Sequence, residues 1–238
     1  MIPDGVTKIG DLAFQYCYHV TSVVMPSSVT AIGSGAFNLC FRLNSIDIPN
    51  SVTEIGGMAF KGCSSLTSIV IPSSVTEIRD HTFSDCEDLA HIEIPNSVTI
   101  IEWHAFYGCS SLTSIEIPSS VTVISGFEDC ISLTSIEIPN SVTKIGICAF
   151  SGCTNLRTMI ISSSVAEIGD GAFKGCLHLS KLHLQHKKPI DISFSFKMPF
   201  DNDDGLDVSK ITIYVPKDSG SEYRNHPFYS RFAEVIEE

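Results

Sequence analysis

Eight of the nine cysteines of this chain keep a register that few folds can satisfy. They stand at Cys17, Cys40, Cys63, Cys86, Cys109, Cys130, Cys153 and Cys176, each 23 residues after the last except for a step of 21 after Cys109. A phenylalanine three residues earlier keeps the same step, from Phe14 to Phe173. A valine and an isoleucine three apart do so too, from Val6 and Ile9 to Val165 and Ile168. Self-similarity with a period of about 20–50 residues marks a repeat array, in which each unit rests only on its neighbours.

One unit shows what is stacked. Val75-Thr76-Glu77-Ile78 is rich in β-branched residues and reads as a short extended segment. Thr82-Phe83-x-x-Cys86 is too short for an independent helix and reads as a helical turn. Leu89-x-x-Ile92-x-Ile94 alternates apolar and polar residues as a strand does, and Pro95 ends it. A single unit cannot bury this apolar row, whereas stacked units lay each side chain on its counterpart. Parallel strands lie about 4.8 Å apart, so eight rungs predict a rod or shallow arc roughly 35–40 Å long.

The motif Leu66-x-x-Ile69-x-Ile71-Pro72, with Ile55-Gly56-x-x-Ala59-Phe60-x-x-Cys63, resembles the BspA-like class of leucine-rich repeats over about residues 2–184. The tail, with Tyr214-Val215-Pro216-Lys217, Tyr223, Asn225-His226-Pro227 and Phe232, resembles the C-terminal end of such proteins. The asparagine usual in other leucine-rich repeats is absent, and Ser74 stands near its place. The resemblance implies a right-handed β/α superhelix, mostly short parallel strands with short helical turns. It also implies a bacterial surface or secreted protein that adheres to host or neighbouring proteins.

The expected organisation is a leucine-rich-repeat solenoid of eight units over residues 1–184, followed by an irregular last repeat and C-terminal cap over 185–238. Phe194, Phe196, Met198 and Phe200 alternate as in a strand, and residues 201–205 read as a polar turn. Residues 210–216 restore the strand. A short helix from about Ser219, with Phe228, Phe232, Val235 and Ile236, is expected to cover the last rung. At the other end, Met1-Ile2-Pro3 falls where a strand would finish, so upstream sequence or another chain is expected to cover that edge. The sixth unit has lost two residues in its turn, which is expected to tighten the back of that rung and spare the core.

Composition narrows the function. The net charge is −12, and Lys187-Lys188 is the one compact basic run, so a phosphate-binding face is not expected. No apolar run is long enough to span a bilayer, and the first residues lack the pattern of a secretory signal. No Gly-rich phosphate loop, nucleophile elbow or cysteine–histidine pattern appears, and His91-x-Glu93 lacks the cysteine pair of a zinc deaminase. The cysteines in register read as buried structural thiols, since their spacing suits neither disulfides nor zinc. Cys148, out of register in a turn, is expected to be more exposed and is the candidate reactive thiol. His81 and His104 share a repeat position, and with Asp80 or Glu102 they could approach a metal site. Variable polar residues are nevertheless ordinary in repeat turns, and neither metal nor cofactor is expected.

The candidate binding residues lie on the outward side of the Leu-x-x-Ile-x-Ile strands. One row reads Val24, Asp47, Val70, Glu93, Glu116, Glu137, Ile160 and His183, and His91 belongs to the next row. Glutamates on consecutive rungs would repel by roughly 1 kcal/mol before screening, tolerable for a solvated face. A basic patch on a partner would instead be attracted to them, with Val70 and Ile160 as apolar anchors. The expected function is non-catalytic protein binding. An intracellular scaffold on the same solenoid, and an enzyme with an unrecognised site, stay open as alternatives.

Overall fold

The computed structural model describes residues 1–192, 195–196 and 207–238. Each rung contributes to two parallel ladders. Short strands such as Lys8–Ile9, Ala31–Ile32 and Glu54–Ile55 form one, in a three-stranded and a five-stranded sheet. Longer strands form the other: Ser22–Val24 pairs with Ser45–Asp47, and Ser68–Val70 with His91–Glu93. Ser135–Ile138, Thr158–Ile161, Lys181–Leu184, Thr212–Val215 and Glu234–Glu237 then run on as one sheet. The register shift is the sequence repeat itself, with Ile9 opposite Ile32 and Ile46 opposite Val23. The chain is therefore a parallel-strand solenoid with very little helix.

Both ladders feed one core. Val52, Ile55, Phe60, Cys63, Leu66 and Ile69 of a single rung are all at most 4% exposed. The phenylalanines form a continuous stack from Phe14 to Phe150, with neighbouring centroids 5.1–5.6 Å apart and planes within 13° of parallel. The stack passes through Phe173 and reaches Phe196, which lies 23 residues further on and 3% exposed. Phe196 thus belongs to the aromatic stack of another rung and not to a strand. Phe194, Met198, Phe200 and the turn at 201–205 lie outside the described residues.

Two polar rows run through the stack. From Cys40 onward, each cysteine in register points its thiol at the carbonyl of the phenylalanine one rung back, as Cys63 does to Phe37 at 3.3 Å and Cys86 to Phe60 at 3.2 Å. A thiol is small enough for the core and still carries a weak donor. None of the nine cysteines is joined to another in this structure. In the second row a serine donates to the valine carbonyl one rung back: Ser51 to Val29, Ser97 to Val75 and Ser120 to Val98, each at 2.6 Å. Ser74, near the place of the missing asparagine, donates to Val52 in the same way. His186 takes over this role, its Nε2 lying 2.8 Å from the Val165 carbonyl.

The outer turns are not helical. Each regular turn places two residues in the left-handed region, four apart: Met58 and Gly62, His81 and Asp85, His104 and Gly108, Cys148 and Gly152. Alternate amides then bond outward to the following rung, as Phe60 does to Thr82 and Gly62 to Ser84. A succession of tight turns meets the next rung with three bonds, where a helical turn would have spent those amides on itself. The α-helix among the described residues is Gly220–Asn225.

Two irregularities matter for function. Residues 114–117, expected as a strand, do not pair, so the long ladder is interrupted between His91–Glu93 and Ser135–Ile138, as it also is between Ser45–Asp47 and Ser68–Val70. At the C-terminal end the ladder continues through Thr212–Val215 and Glu234–Glu237, and buried Tyr223 and Tyr229 tie the tail back. Tyr223 donates to the His186 carbonyl and Tyr229 to that of Ile190, both at 2.9 Å.

Candidate binding surface and the outer turns

Strand alternation sets the first surface. In Ser68–Val70 the middle residue, Ile69, is buried while its flanks are exposed, so Val70 shows 59% of its surface. Asp47, His91, Glu93, Glu116 and Glu137 are likewise exposed, and Ile160 is half-buried. Val70 lies opposite Glu93 in the ladder, and Glu137 opposite Ile160. Val24 extends the row opposite Asp47. The three glutamates do not form one ladder, because the segment bearing Glu116 is unpaired. A cleft of about 410 Å³ opens there, lined by His91, Glu93, Asn96, Ser114 and Glu116. Across the buried Ile92, His91 Nε2 approaches Glu93 Oε1 at 3.6 Å. His183, at the far end, is held by Glu238 at 2.7 Å and stacks on Tyr214.

The outer turns carry a second group. His81 and His104 occupy the same left-handed position in adjacent rungs, and His104 Nδ1 lies 3.1 Å from His81 Nε2. The other nitrogen, His104 Nε2, meets Glu128 at 2.6 Å, and His81 Nδ1 faces Asp80 at 3.5 Å. With both imidazoles neutral, these partners require His104 to donate to Glu128 and His81 Nε2 to donate to His104. Burial, and next the neighbouring His104, lower the His81 pKa. Glu102, considered with the pair from the sequence, instead accepts the Asp80 amide at 2.9 Å. Among the described residues no group of three or more His, Cys, Asp or Glu is placed to hold a metal ion. The network braces Trp103, whose ring lies 3.7 Å from that of His104 and edge-on to His81.

Cys148 corrects its expectation. It occupies the same left-handed turn position as His81 and His104, and is half-buried. Burial, together with the nearby Glu128 carboxylate, raises its thiol pKa. That leaves less thiolate for reaction than an ordinary cysteine has. The buried thiols in register are raised too, Cys40 to about 11 and Cys176 to about 12, chiefly by burial.

The shortened unit changes its turn and keeps its core, as expected of a loss in the turn. Its core survives, with Ile124 and Phe127 fully buried, but its turn keeps one left-handed residue, Asp129. In the regular turns before it, the first left-handed residue donates to the next rung, as His81 does to Trp103 and His104 to Ser125. In the shortened turn that donor is gone, and among the described residues no backbone amide bonds to the Ile147 carbonyl. The bonds from Phe127 to Ala149 and from Asp129 to Ser151 remain. A cleft of about 740 Å³ runs along this side over several rungs, lined by Trp103, Ser125, Ile147, Asp170, Asp191 and Ser195 among others. Nothing in the spacing of the repeat signals it.

A parallel solenoid with valine, isoleucine, phenylalanine, cysteine and leucine rows defines a leucine-rich-repeat scaffold. The BspA type leucine rich repeat region matches residues 7–126 and 125–198 in six copies. The chain belongs to that family. It is similar to a leucine-rich-repeat protein of T. pallidum, at 33% identity and a TM-score of 0.64, covering 72% of this chain and 82% of that one. The fold is shared with a leucine-rich-repeat protein from Bacteroides ovatus, at 24% identity and TM-score 0.55, covering 91% and 69%. It is shared also with the pneumococcal vaccine antigen PcpA, at 17% identity and TM-score 0.56, covering 98% and 71%. No curated protein matches the chain. No helix among the described residues is long and apolar enough to cross a membrane.

Proposed function

We propose that this chain is a non-catalytic protein-binding module of a bacterial surface or secreted protein, and that its partner lies across the long-strand ladder. The observation that carries the reading is the outward row, where exposed apolar Val70 sits opposite Glu93 on strands held by a shared core. A rigid row of this kind loses little order on binding, and a mixed apolar and acidic surface suits a partner with basic residues around an apolar patch. Asp47, His91, Glu116, Glu137 and Ile160 complete the proposed surface. The family supports protein binding as the general task of the scaffold. The test is binding of the purified chain to a panel of immobilised matrix and cell-surface proteins, repeated with Val70→Lys. Binding that falls at least roughly tenfold in the variant supports the reading. Binders indifferent to the change would place the interface elsewhere.

One observation favours the intracellular alternative: a row of buried thiols turned to backbone carbonyls suits a compartment that keeps cysteines reduced. Localisation by protease shaving of intact cells separates the two readings.

A further inference from the structure

From the paired histidines of the outer turns we infer a binding site for a divalent transition-metal ion of the zinc or nickel class, held between His81 Nε2 and His104 Nδ1. The site goes beyond the long-strand surface and does not depend on it.

The repeat places the two rings. His81 and His104 occupy the same left-handed turn position on adjacent rungs, so no long-range loop is needed to bring them together. Their facing nitrogens lie 3.1 Å apart. Imidazole nitrogen binds zinc at about 2.0–2.1 Å, so an ion reaching both nitrogens across that span makes an N–metal–N angle of about 100°. That angle lies between the tetrahedral and octahedral values, and ions that favour imidazole take such geometries. The rings stand at 83° to one another, and a turn of each about its side chain aims both lone pairs at one point. Each side chain is 17% exposed, so solvent reaches the pair and water can fill the remaining positions.

The nitrogens on the far side of each ring point to the same occupant. His104 Nε2 meets Glu128 at 2.6 Å, and His81 Nδ1 faces Asp80 at 3.5 Å. A carboxylate behind the imidazole is the usual support of a metal-bound histidine, because it holds the ring N–H and leaves the other nitrogen to ligate. Without an ion the arrangement is one bond short. His104 donates its proton to Glu128, so His81 must donate its own to His104. His81 Nδ1 is then a buried lone pair turned toward a carboxylate, with no hydrogen-bond partner among the described residues. With an ion in the gap, the His81 proton sits on Nδ1, where Asp80 accepts it, and both facing lone pairs go to the metal. The pair neither gains nor loses a proton in that exchange. Against the two carboxylates, Lys61 is the cation near enough to act on His81. Two protein ligands, where a structural zinc site has four, make the expected affinity modest.

Trp103 reports on the site, since its ring lies 3.7 Å from that of His104 and it is the only tryptophan in the chain. The untagged chain is titrated with nickel chloride in a non-coordinating buffer near neutral pH, with magnesium chloride in parallel. Zinc chloride is then added in excess to the nickel-loaded protein. The expected result is saturable quenching of Trp103 at one nickel per chain, with a Kd between about 1 and 100 μM, recovery of emission with zinc, and no response to magnesium. His81→Asn keeps a residue that tolerates the left-handed turn and removes the ligand, and should weaken binding at least roughly tenfold. Glu128→Gln should weaken it about tenfold by loosening the orientation of His104, which itself stays in place to hold Trp103. Both variants are checked for folding by circular dichroism. No saturable quenching by nickel, an equal response to magnesium, emission that zinc does not restore, or folded variants that bind nickel unchanged would overturn the inference.

Discussion

Deleting the Phe83 ring tests how the stack is held. Phe83 is fully buried, with Phe60 and Phe106 at 5.6 and 5.5 Å on its two faces. Burial of the side chain is worth about 1.5–3 kcal/mol. Each stacked contact adds about 0.5–1.5 kcal/mol, and neighbouring rungs cannot close the hole without shifting their own ladders. Phe83→Ala should therefore cost about 3–5 kcal/mol, the usual range for a buried phenylalanine. Phe14 is half-buried and has one ring neighbour, Phe37 at 5.2 Å, so Phe14→Ala should cost about half as much. Because rungs touch only their neighbours, loss at the middle also weakens the coupling of the two ends. Urea denaturation followed by Trp103 emission and by far-ultraviolet circular dichroism reads both effects. In Phe83→Ala the two signals should separate into distinct transitions. Equal losses for the two variants, or one coincident transition with an unchanged midpoint, would refute the nearest-neighbour account.

Three further outcomes follow. Alkylation of the native protein should reach half-buried Cys17 first and Cys148 more slowly, and the buried thiols in register only on unfolding; mass spectrometry reads the order. Gly152→Ala should destabilise by about 1–2 kcal/mol or more in thermal melts, because its φ is +71° and a Cβ there would strike the Asp129 carboxylate. Burial lowers the His186 pKa, so the unfolded chain takes up that proton more readily than the folded one. Its contribution is complete above about pH 6.5 and is lost as pH falls from there toward the folded pKa. His186→Gln should therefore flatten part of the fall in the urea midpoint between about pH 7 and pH 5.

The core was legible because each core position repeats its surroundings. Phe60 meets phenylalanine on both faces in every reading of the repeat, and the alternation in Ser68–Val70 sends Ile69 inward in sequence and structure alike. The turns were less legible. Their defining feature is a left-handed backbone at Met58, His81, His104 and Cys148, residue types that do not announce it as glycine would. The apolar spacing of Phe and Cys suits a helical turn, whereas the amides bond across rungs. The hydrogen-bonding role of the cysteines was also hidden, since burial alone accounts for a small apolar residue. The unpaired segment at 114–117 repeats the strand motif faithfully, and nothing in the structure explains its departure from the ladder. Alternation alone puts the exposed residues Asp47, Val70, Glu93 and Glu137 on strands, and it carries no sign of the interruption beside Glu116.

The proposed partner protein binds the outward face of the long-strand ladder. The most direct measurement is surface plasmon resonance of a protein that binds this chain, comparing the native sequence with Glu93→Gln, Glu116→Gln and Glu137→Gln combined. These side chains are exposed, so the triple change leaves the fold intact. The account predicts a slower on-rate at low salt and a shallower dependence on ionic strength, because the removed charges steer the encounter. An on-rate unchanged at low salt, with unchanged salt dependence, would contradict it.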